Sequence, residues 1–521
     1  MKIITFYAQA IGSNHIASRK PCQDNGTHYN DNGVSIVIVC DGHGGESYVR
    51  SDKGSELASQ IAKEKILTFI ERTPKELFAG KKGAVTVIPT VDPRINHRGE
   101  KKDLSMLSES EMDLLKQNIS YLNAVRDIPE IEKSFRTLFN DIWNSWLKAI
   151  REDSETHEFS RSERDKLGSK RLEKAYGSTL MAAVRTNDYW FAFHIGDGKL
   201  FACNELMQWS EPVPWDCNCF LNVTTSLCDR DPVNEFRYAF DGTGYFPIAF
   251  ALGSDGIDDT FIQNDLIHKF YSQLLCVFNE RDQKEAEALL KESLSTWSEK
   301  GSHDDMSVAA LIEKEKLPKA IEYYKIISEV RNLTAERNKK QENIIKIENK
   351  IIQLKTLIDK VSSLRDEKAR VISNWWLKVC QKKKEELSEY QIHSKKVKEL
   401  YHEYDSLRKE LDNDRLAFED WKKESSSRVS ELKELAHNIT KTVEIEEIKT
   451  EEQLIDSDEK ETDNPIPVSG KQSGTLDDNS DDQDTFNYKA ESAKMTKEDV
   501  AKMEQESNTQ IKEILNNYNK K

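Results

Sequence analysis

At 521 residues the chain exceeds one ordinary domain, and with 37% hydrophobic and 32% charged residues, against roughly 25% charged in typical soluble domains, part of it cannot build a core. No window nears the roughly 20 uninterrupted apolar residues of a membrane span, and Met1-Lys2-Ile3-Ile4-Thr5 lacks the apolar stretch of a signal peptide. The net charge of −16 is unevenly shared: Lys441 to Ala490 alone holds 15 acidic and 5 basic residues, and no concentrated basic face stands out, which disfavours nucleic-acid binding.

Phe6 to Ile11 alternates and predicts a strand. A polar, turn-rich loop follows from Gly12 to Gly26, ending near Asp24 with Arg19 five residues before it. Ile36-Val37-Ile38-Val39-Cys40 is the apolar, β-branched run of a buried strand, and it stops at Asp41-Gly42-His43-Gly44-Gly45. Alone, that stretch reads equally as a glycine turn with a surface Asp and His, or as a metal carboxylate with a proton carrier beside it. Glu46 to Glu71 has helical spacing. From Arg72 to Pro129 the pattern dissolves into an expected insertion, with some helix around Leu104 to Asn123, and a second amphipathic helix runs from Glu130 to about Glu152.

Ser178 to Val184, Tyr189 to Ile195 and Lys199 to Ala202 predict short strands, the last two joined through Gly196-Asp197-Gly198. Pro247 to Leu252 leads into Gly253-Ser254-Asp255-Gly256. Helices are expected from Phe261 to Phe278 and from Lys284 to Glu299, and Ser302-His303-Asp304-Asp305 opens a last strand from Ser307 to Ile312. The pattern predicts an α+β domain over 1–314, a four-layer α-β-β-α sandwich with sheets inside and helices outside.

Beyond Pro318 there is no proline before Pro465 and no glycine between Gly301 and Gly470, so nothing obvious breaks a helix. Ile344, Ile347, Ile351, Leu354, Ile358 and Val361 alternate by three and four, and Tyr404, Leu407, Leu411, Phe418, Trp421, Leu432, Leu435 and Ile439 continue a second seam. A coiled coil over 315–440 is expected, pairing within the chain or with a second copy. The phase change at Ser373-Asn374-Trp375-Trp376 fits a hairpin bend, a stutter or a docking site. An acidic, disordered linker over 441–495 and a short amphipathic helix over 496–521 complete the reading.

The acid-bearing turns at Asp24, Asp41, Asp197, Asp255 and Asp304 mostly sit where apolar strands begin or end, which lets distant carboxylates converge on one edge. Hard oxygen ligands without cysteine suit Mg²⁺ or Mn²⁺, and packed aspartates repel unless cations lie between them. The eight cysteines are scattered as in a reducing compartment, so a cytoplasmic location is expected. Cys217, Cys219 and Cys228 read as ordinary core or loop residues rather than a thiolate site. His194 reads as a strand histidine and His303 as a neighbour of Asp304.

Over roughly Met1 to Lys314 the chain resembles the bacterial branch of the metal-dependent type 2C protein serine/threonine phosphatases. The resemblance rests on Arg19-x-x-Cys22-Gln23-Asp24, Asp41-Gly42-His43-Gly44-Gly45, Gly177-Ser178-Thr179-Leu180, Gly196-Asp197-Gly198, Ser254-Asp255-Gly256 and Gly301-Ser302-x-Asp304-Asp305-x-Ser307. It implies that Asp41 bridges two Mg²⁺ or Mn²⁺ ions, that the Gly42 carbonyl and Asp255 and Asp304 ligate them, and that Asp197 shares a third, weaker ion with Asp255. It implies further that Asp24 acts through water, that His43 protonates the leaving seryl or threonyl oxygen, and that Arg19 binds phosphate. Three positions depart from the pattern: Gln23 for Glu, Asp305 for Asn, and Lys199 for Arg.

The expected activity is hydrolysis of phosphoserine or phosphothreonine by a metal-activated water. Alternatives are a coiled-coil scaffold whose inactive phosphatase-like domain senses a phosphoprotein, and a two-metal hydrolase of other phosphodiesters. Expected partners are a phosphorylated protein, a serine/threonine kinase as its counterpart, and whatever the coiled coil binds, with neither nucleic acid nor membrane among them.

Overall fold

Residues 2–88, 93–95, 101–216, 219, 224–261, 263–373 and 382–455 are described by a computed structural model of the chain, without the side chains of 109, 110, 382–386 and 442–455. Its strands are β1 (Ile3–Ala10), β2 (Asn25–Asp31), β3 (Val34–Cys40), β4 (Lys82–Val85), β5 (Leu180–Arg185), β6 (Trp190–Ile195), β7 (Lys199–Cys203), β8 (Trp209–Ser210), β9 (Arg237–Asp241), β10 (Ala249–Gly253) and β11 (Met306–Glu313). They form two antiparallel sheets, ordered β1-β11-β10-β7-β8 and β2-β3-β5-β6-β9-β4.

The unbroken apolar runs follow from burial on both faces. Val37, Val39, Met181, Ala183 and Ala192 of one sheet meet Leu200, Ala202, Phe250, Leu252, Ala309 and Leu311 of the other in a shared cluster. On the alternate face of β3, β5 and β6, Ile36, Ile38, Ala182, Val184, Phe191 and Phe193 pack against α2 (Ser51–Arg72) and α4 (Pro129–Thr156). Around the site, α1 (Ser13–Ser18) follows β1. Three further helices, α3 (Glu109–Val125), α5 (Arg161–Leu167) and α6 (Leu172–Ala175), flank α4 in sequence, and α7 (Asp255–Phe261) follows β10. The outer face of the other sheet is covered by α8 (Asn264–Glu280) and α9 (Gln283–Lys300), through Phe270, Leu274, Leu290 and Leu294.

Several sequence expectations are corrected. The Gly12 to Gly26 loop contains α1 and leads directly into β2, a strand too polar on its outer positions to show alternation. The helix expected from Glu46 begins at Ser51, and the one expected from Phe261 begins at Asn264 as α8, with the unexpected short α7 before it. The stretch from Arg72 to Pro129 is not wholly an insertion. Lys82 to Val85 pairs with Tyr238 to Asp241 as the edge strand β4, and buried Phe78 stacks on Tyr189 at 4.3 Å between ring centroids. Lys82-Gly83-Ala84-Val85 shows no pattern because only Val85 is buried. Likewise β9 carries Arg237 in its core, which hides it as a strand.

Two long helices follow: α10 (Leu317–Ser373) and α11 (Lys382–Ile455). Leu317, Ala320 and Ile321 belong to the core beneath α8 and α9, so the first turns of α10 are rooted in the sheet domain. Further along, Ile326 packs with Leu432, Ile344 and Ile347 with Leu411, and Leu354 and Ile358 with Leu400, so the two helices run antiparallel. The expected seam thus pairs within the chain. It shifts phase at its base: Ala436 joins Leu432 while Leu435 is 43% exposed. The helix continues to Ile455, so the first part of the expected disordered linker is helical. Trp375, Trp376 and the segments after Ile455, including the expected helix over 496–521, lie outside the described residues. No described helix is long and apolar enough to cross a membrane.

Candidate active site

Strand register brings the acids together. Asn25 pairs with Cys40, so Asp24, just before β2, lies beside Asp41, just after β3. Gly253 pairs with both Lys199 and Val308, which places Asp255 after β10 next to the turn holding Asp197 and to Asp304-Asp305 ahead of β11. Five acidic turns from a span of 281 residues therefore gather at one end of the paired sheets.

Backbone contacts set the Asp41 turn. Asp41 N–H donates to Thr179 Oγ1 at 3.0 Å and its carbonyl accepts from Thr179 N at 2.8 Å, while Gly42 N donates to the Gln23 carbonyl at 3.1 Å and His43 N to the Gly177 carbonyl at 3.2 Å. Gly42 is required there, because a Cβ would stand 2.5 Å from the Gln23 oxygen. The His43 ring meets the Tyr48 ring edge-on at 4.8 Å, and Tyr48 accepts a hydrogen bond from Lys174 Nζ at 3.0 Å. Burial, followed by the Lys174 charge, lowers the His43 pKa to about 4.

The carboxylates shift in the opposite direction. Burial raises Asp41 well above the usual carboxylate range, and Asp255, Asp24 and Asp197 raise it further. Asp255 is pushed up to about 7 by burial first, with Asp197, Asp304 and Asp259 adding, although its hydrogen bond with Asp41 works against the rise. Asp24 is raised by burial and by Asp305, and Asp197 by burial. Asp24 is 3% exposed, and its Oδ2 has no hydrogen-bond partner among the described residues. Mutual repulsion with an unpartnered buried oxygen is the signature of a donor set made for a cation. Its all-oxygen chemistry fits a hard divalent ion, and Asp304 is the more exposed member of the group.

Other sequence-predicted residues sit as follows. Arg19 caps α1 in a left-handed conformation, φ 55°, and is exposed. Gln23 donates from Nε2 to the His43 carbonyl at 3.2 Å and to Ser51 Oγ at 2.5 Å, tying the Asp41 turn to α2. Lys199 Nζ stands 3.9 Å from both Glu211 and Asp258 carboxylates and 3.9 Å from the Trp215 ring centroid. His194 is buried in β6, and exposed His303 reaches Ser13 Oγ through Nδ1 at 3.0 Å. Cys219 and Cys228 are buried free thiols, and Cys217 lies outside the described residues.

Sequence reasoning missed the residues that brace the Asp197 turn. Arg237 Nη2 donates to the Gly196 carbonyl at 2.9 Å, and Gly196 N donates to Thr225 Oγ1 at 3.1 Å, which donates in turn to buried Asp216 at 2.8 Å. An arginine inside Phe236-Arg237-Tyr238-Ala239-Phe240 was the only available signal. Asp258 was missed as well. It is pushed up to about 6, mainly by burial, with Lys199 opposing, and it lies one turn beyond Asp255 on α7.

Two antiparallel sheets flanked by helices thus carry a cluster of buried carboxylates whose chemistry suits hard divalent ions. A family model described as protein phosphatase 2C matches residues 11–297, and the chain belongs to that family of divalent-metal-dependent protein phosphatases. Among solved structures it is similar to a bacterial serine phosphatase at 11% identity, covering 60% of this chain and 98% of that chain, with a TM-score of 0.33. It is also similar to the S. agalactiae serine/threonine phosphatase at 15% identity, covering 60% and 99%, TM-score 0.30. A serine/threonine phosphatase from Staphylococcus aureus is 11% identical, with 60% and 95% covered and a TM-score of 0.31. The family assignment rests on none of these three likenesses. A search of curated proteins finds no match.

Proposed function

We propose that the chain hydrolyses phosphoserine or phosphothreonine in proteins with two Mg²⁺ or Mn²⁺ ions, and a third, weaker one, at the Asp24, Asp41, Asp197, Asp255 and Asp304 site. The observation that carries this reading is the convergence of carboxylates that raise one another's pKa around the unpartnered Asp24 Oδ2. Bound ions would supply an acidified water and neutralise phosphoryl charge. Asp41 and Asp255, which share a hydrogen bond, would give up that proton on loading. The Gly42 carbonyl can approach an ion because no side chain shields it.

His43 is assigned to protonate the departing seryl or threonyl oxygen. Its surroundings favour the neutral ring, so the dianionic phosphate itself must raise its pKa when it enters beside the imidazole. Arg19, exposed at the end of α1, is assigned to the phosphate. The scaffold reading is not favoured, because the acid set is complete. The sheet domain, 1–314, is assigned catalysis, and the helices after it are assigned to partner binding.

The test is phosphate release from a phosphopeptide with Mn²⁺. Wild type is expected to turn over and Asp41→Ala to lose activity. No release by wild type, with Asp41→Ala indistinguishable, overturns the reading.

A further inference from the structure

Asp305 stands beside a proposed metal ligand, and its carboxylate sits in a nest of donors. Its Oδ1 accepts from Gly12 N at 2.6 Å. Its Oδ2 accepts from Gln23 N at 2.6 Å and faces His15 Nδ1 at 2.9 Å. Asp305 is 3% and His15 8% exposed. The donors come from three places: the chain leaving β1, the helix that ends at Arg19, and the residue just before Asp24. Gly12 reaches the carboxylate only because it lacks a side chain, since a Cβ would lie 2.5 Å from the Asp304 carbonyl carbon. The imidazole tautomer with hydrogen on Nδ1 completes the set.

The chemistry of that nest discriminates between two similar side chains. An ionised carboxylate is acceptor-only and meets all three donors with two oxygens, whereas an asparagine would turn an NH₂ group toward at least one N–H and leave it unpaired. We propose that Asp305, together with His15, is a positioning pair that registers the Arg19-bearing α1 turn and the Gln23-Asp24 segment against β11, so that one buried carboxylate sets both the phosphate side and the metal side of the site. The proposal rests on the phosphatase reading for the roles of Arg19 and Asp24. The positioning geometry itself does not depend on turnover.

The experiment compares the full chain with Asp305→Asn, His15→Leu and His15→Asn. Hydrogen exchange followed by mass spectrometry on the peptide covering 11–26 reads the latch without any activity. Asp305→Asn and His15→Leu are expected to speed exchange there about tenfold, the loss of roughly one hydrogen bond's worth of protection. They are also expected to raise the Mn²⁺ concentration for half-maximal phosphopeptide hydrolysis by about 10-fold or more, as loss of groups that orient metal ligands does. In His15→Asn the amide nitrogen can stand in for Nδ1, so both readouts are expected to return toward wild type. Should Asp305→Asn fail to fold, the two His15 variants carry the same comparison. Unchanged exchange over 11–26 in Asp305→Asn, or His15→Asn behaving like His15→Leu, overturns the proposal. An inactive wild type with the expected exchange pattern overturns the phosphatase reading alone.

Discussion

The sheet domain and the helical hairpin solve opposite problems. The hairpin buries only an apolar seam, layer by layer, and its charges stay in water: Arg428 reaches Glu329 at 2.8 and 3.2 Å on an exposed surface. The sheet domain instead spends part of its apolar core holding carboxylates where they repel one another, with Asp255 pushed up to about 7. Stability in the first is therefore local and nearly additive, whereas in the second it is tied to ionisation and to ligand. The difference places chemistry where the fold is strained by charge and leaves the hairpin free to vary.

That contrast can be broken in several ways, the most severe first. Asp41→Ala is expected to lower phosphopeptide turnover about 10³-fold, since the several kcal/mol that bound ions contribute would be lost, yet leave the ion-free melting temperature unchanged or higher because one repelling charge is gone. A steady-state assay beside a thermal melt separates the two effects. Phe135→Ala removes a ring packed between Phe69, Phe191 and Tyr238 and is expected to cost about 3–5 kcal/mol in chemical denaturation, taking activity with it.

Ionisation sharpens the comparison. Asp24, Asp41 and Asp255 all have folded-state pKa values above their unfolded ones, so the folded, ion-free domain holds more protons than the unfolded chain. The Asp255 contribution is complete below about pH 4 and disappears as pH rises through about 7, and those of Asp24 and Asp41 are likewise lost as pH rises through their raised folded-state values. Melting of the ion-free chain should therefore show Mn²⁺ stabilising far more at pH 8 than at pH 5. Equal stabilisation at both pH values would contradict the acid cluster. The hairpin should be indifferent to both variables.

Within the hairpin, Ile358→Ala is expected to cost about 2 kcal/mol, the low end for a buried isoleucine because two helices can close the gap, with phosphatase activity retained. Hydrogen exchange should place the loss around Leu354 and Leu400. Smallest of all, Arg428→Ala should leave the melting curve within error, because an exposed ion pair gains little against screening and lost side-chain freedom.

Much of this was legible in the sequence where the signal is local. The heptad seam of Ile344, Ile347, Leu354 and Ile358, the run from Ile36 to Cys40 and the stripe along α4 each declare their burial through spacing of a few residues. The missed elements were those whose burial has no such spacing. β4 buries one residue in four, β9 carries Arg237 inward, and Ala436 displaces Leu435 only because Ile326 stands opposite. The acidic turns could be placed at strand ends and, by resemblance, given roles.

By itself, then, the sequence determined which residues are built to be buried and which acids end rigid elements, because periodicity and β-branching act over a few neighbours. Only tertiary structure decided how those ends meet. The register of Asn25 on Cys40 and of Gly253 on Lys199 and Val308 pairs residues up to 55 positions apart, and it brings the carboxylates close enough to repel. It also turned Asp305 from an apparent variant of a motif into the shared acceptor of Gly12, His15 and Gln23, a role that no local pattern encodes.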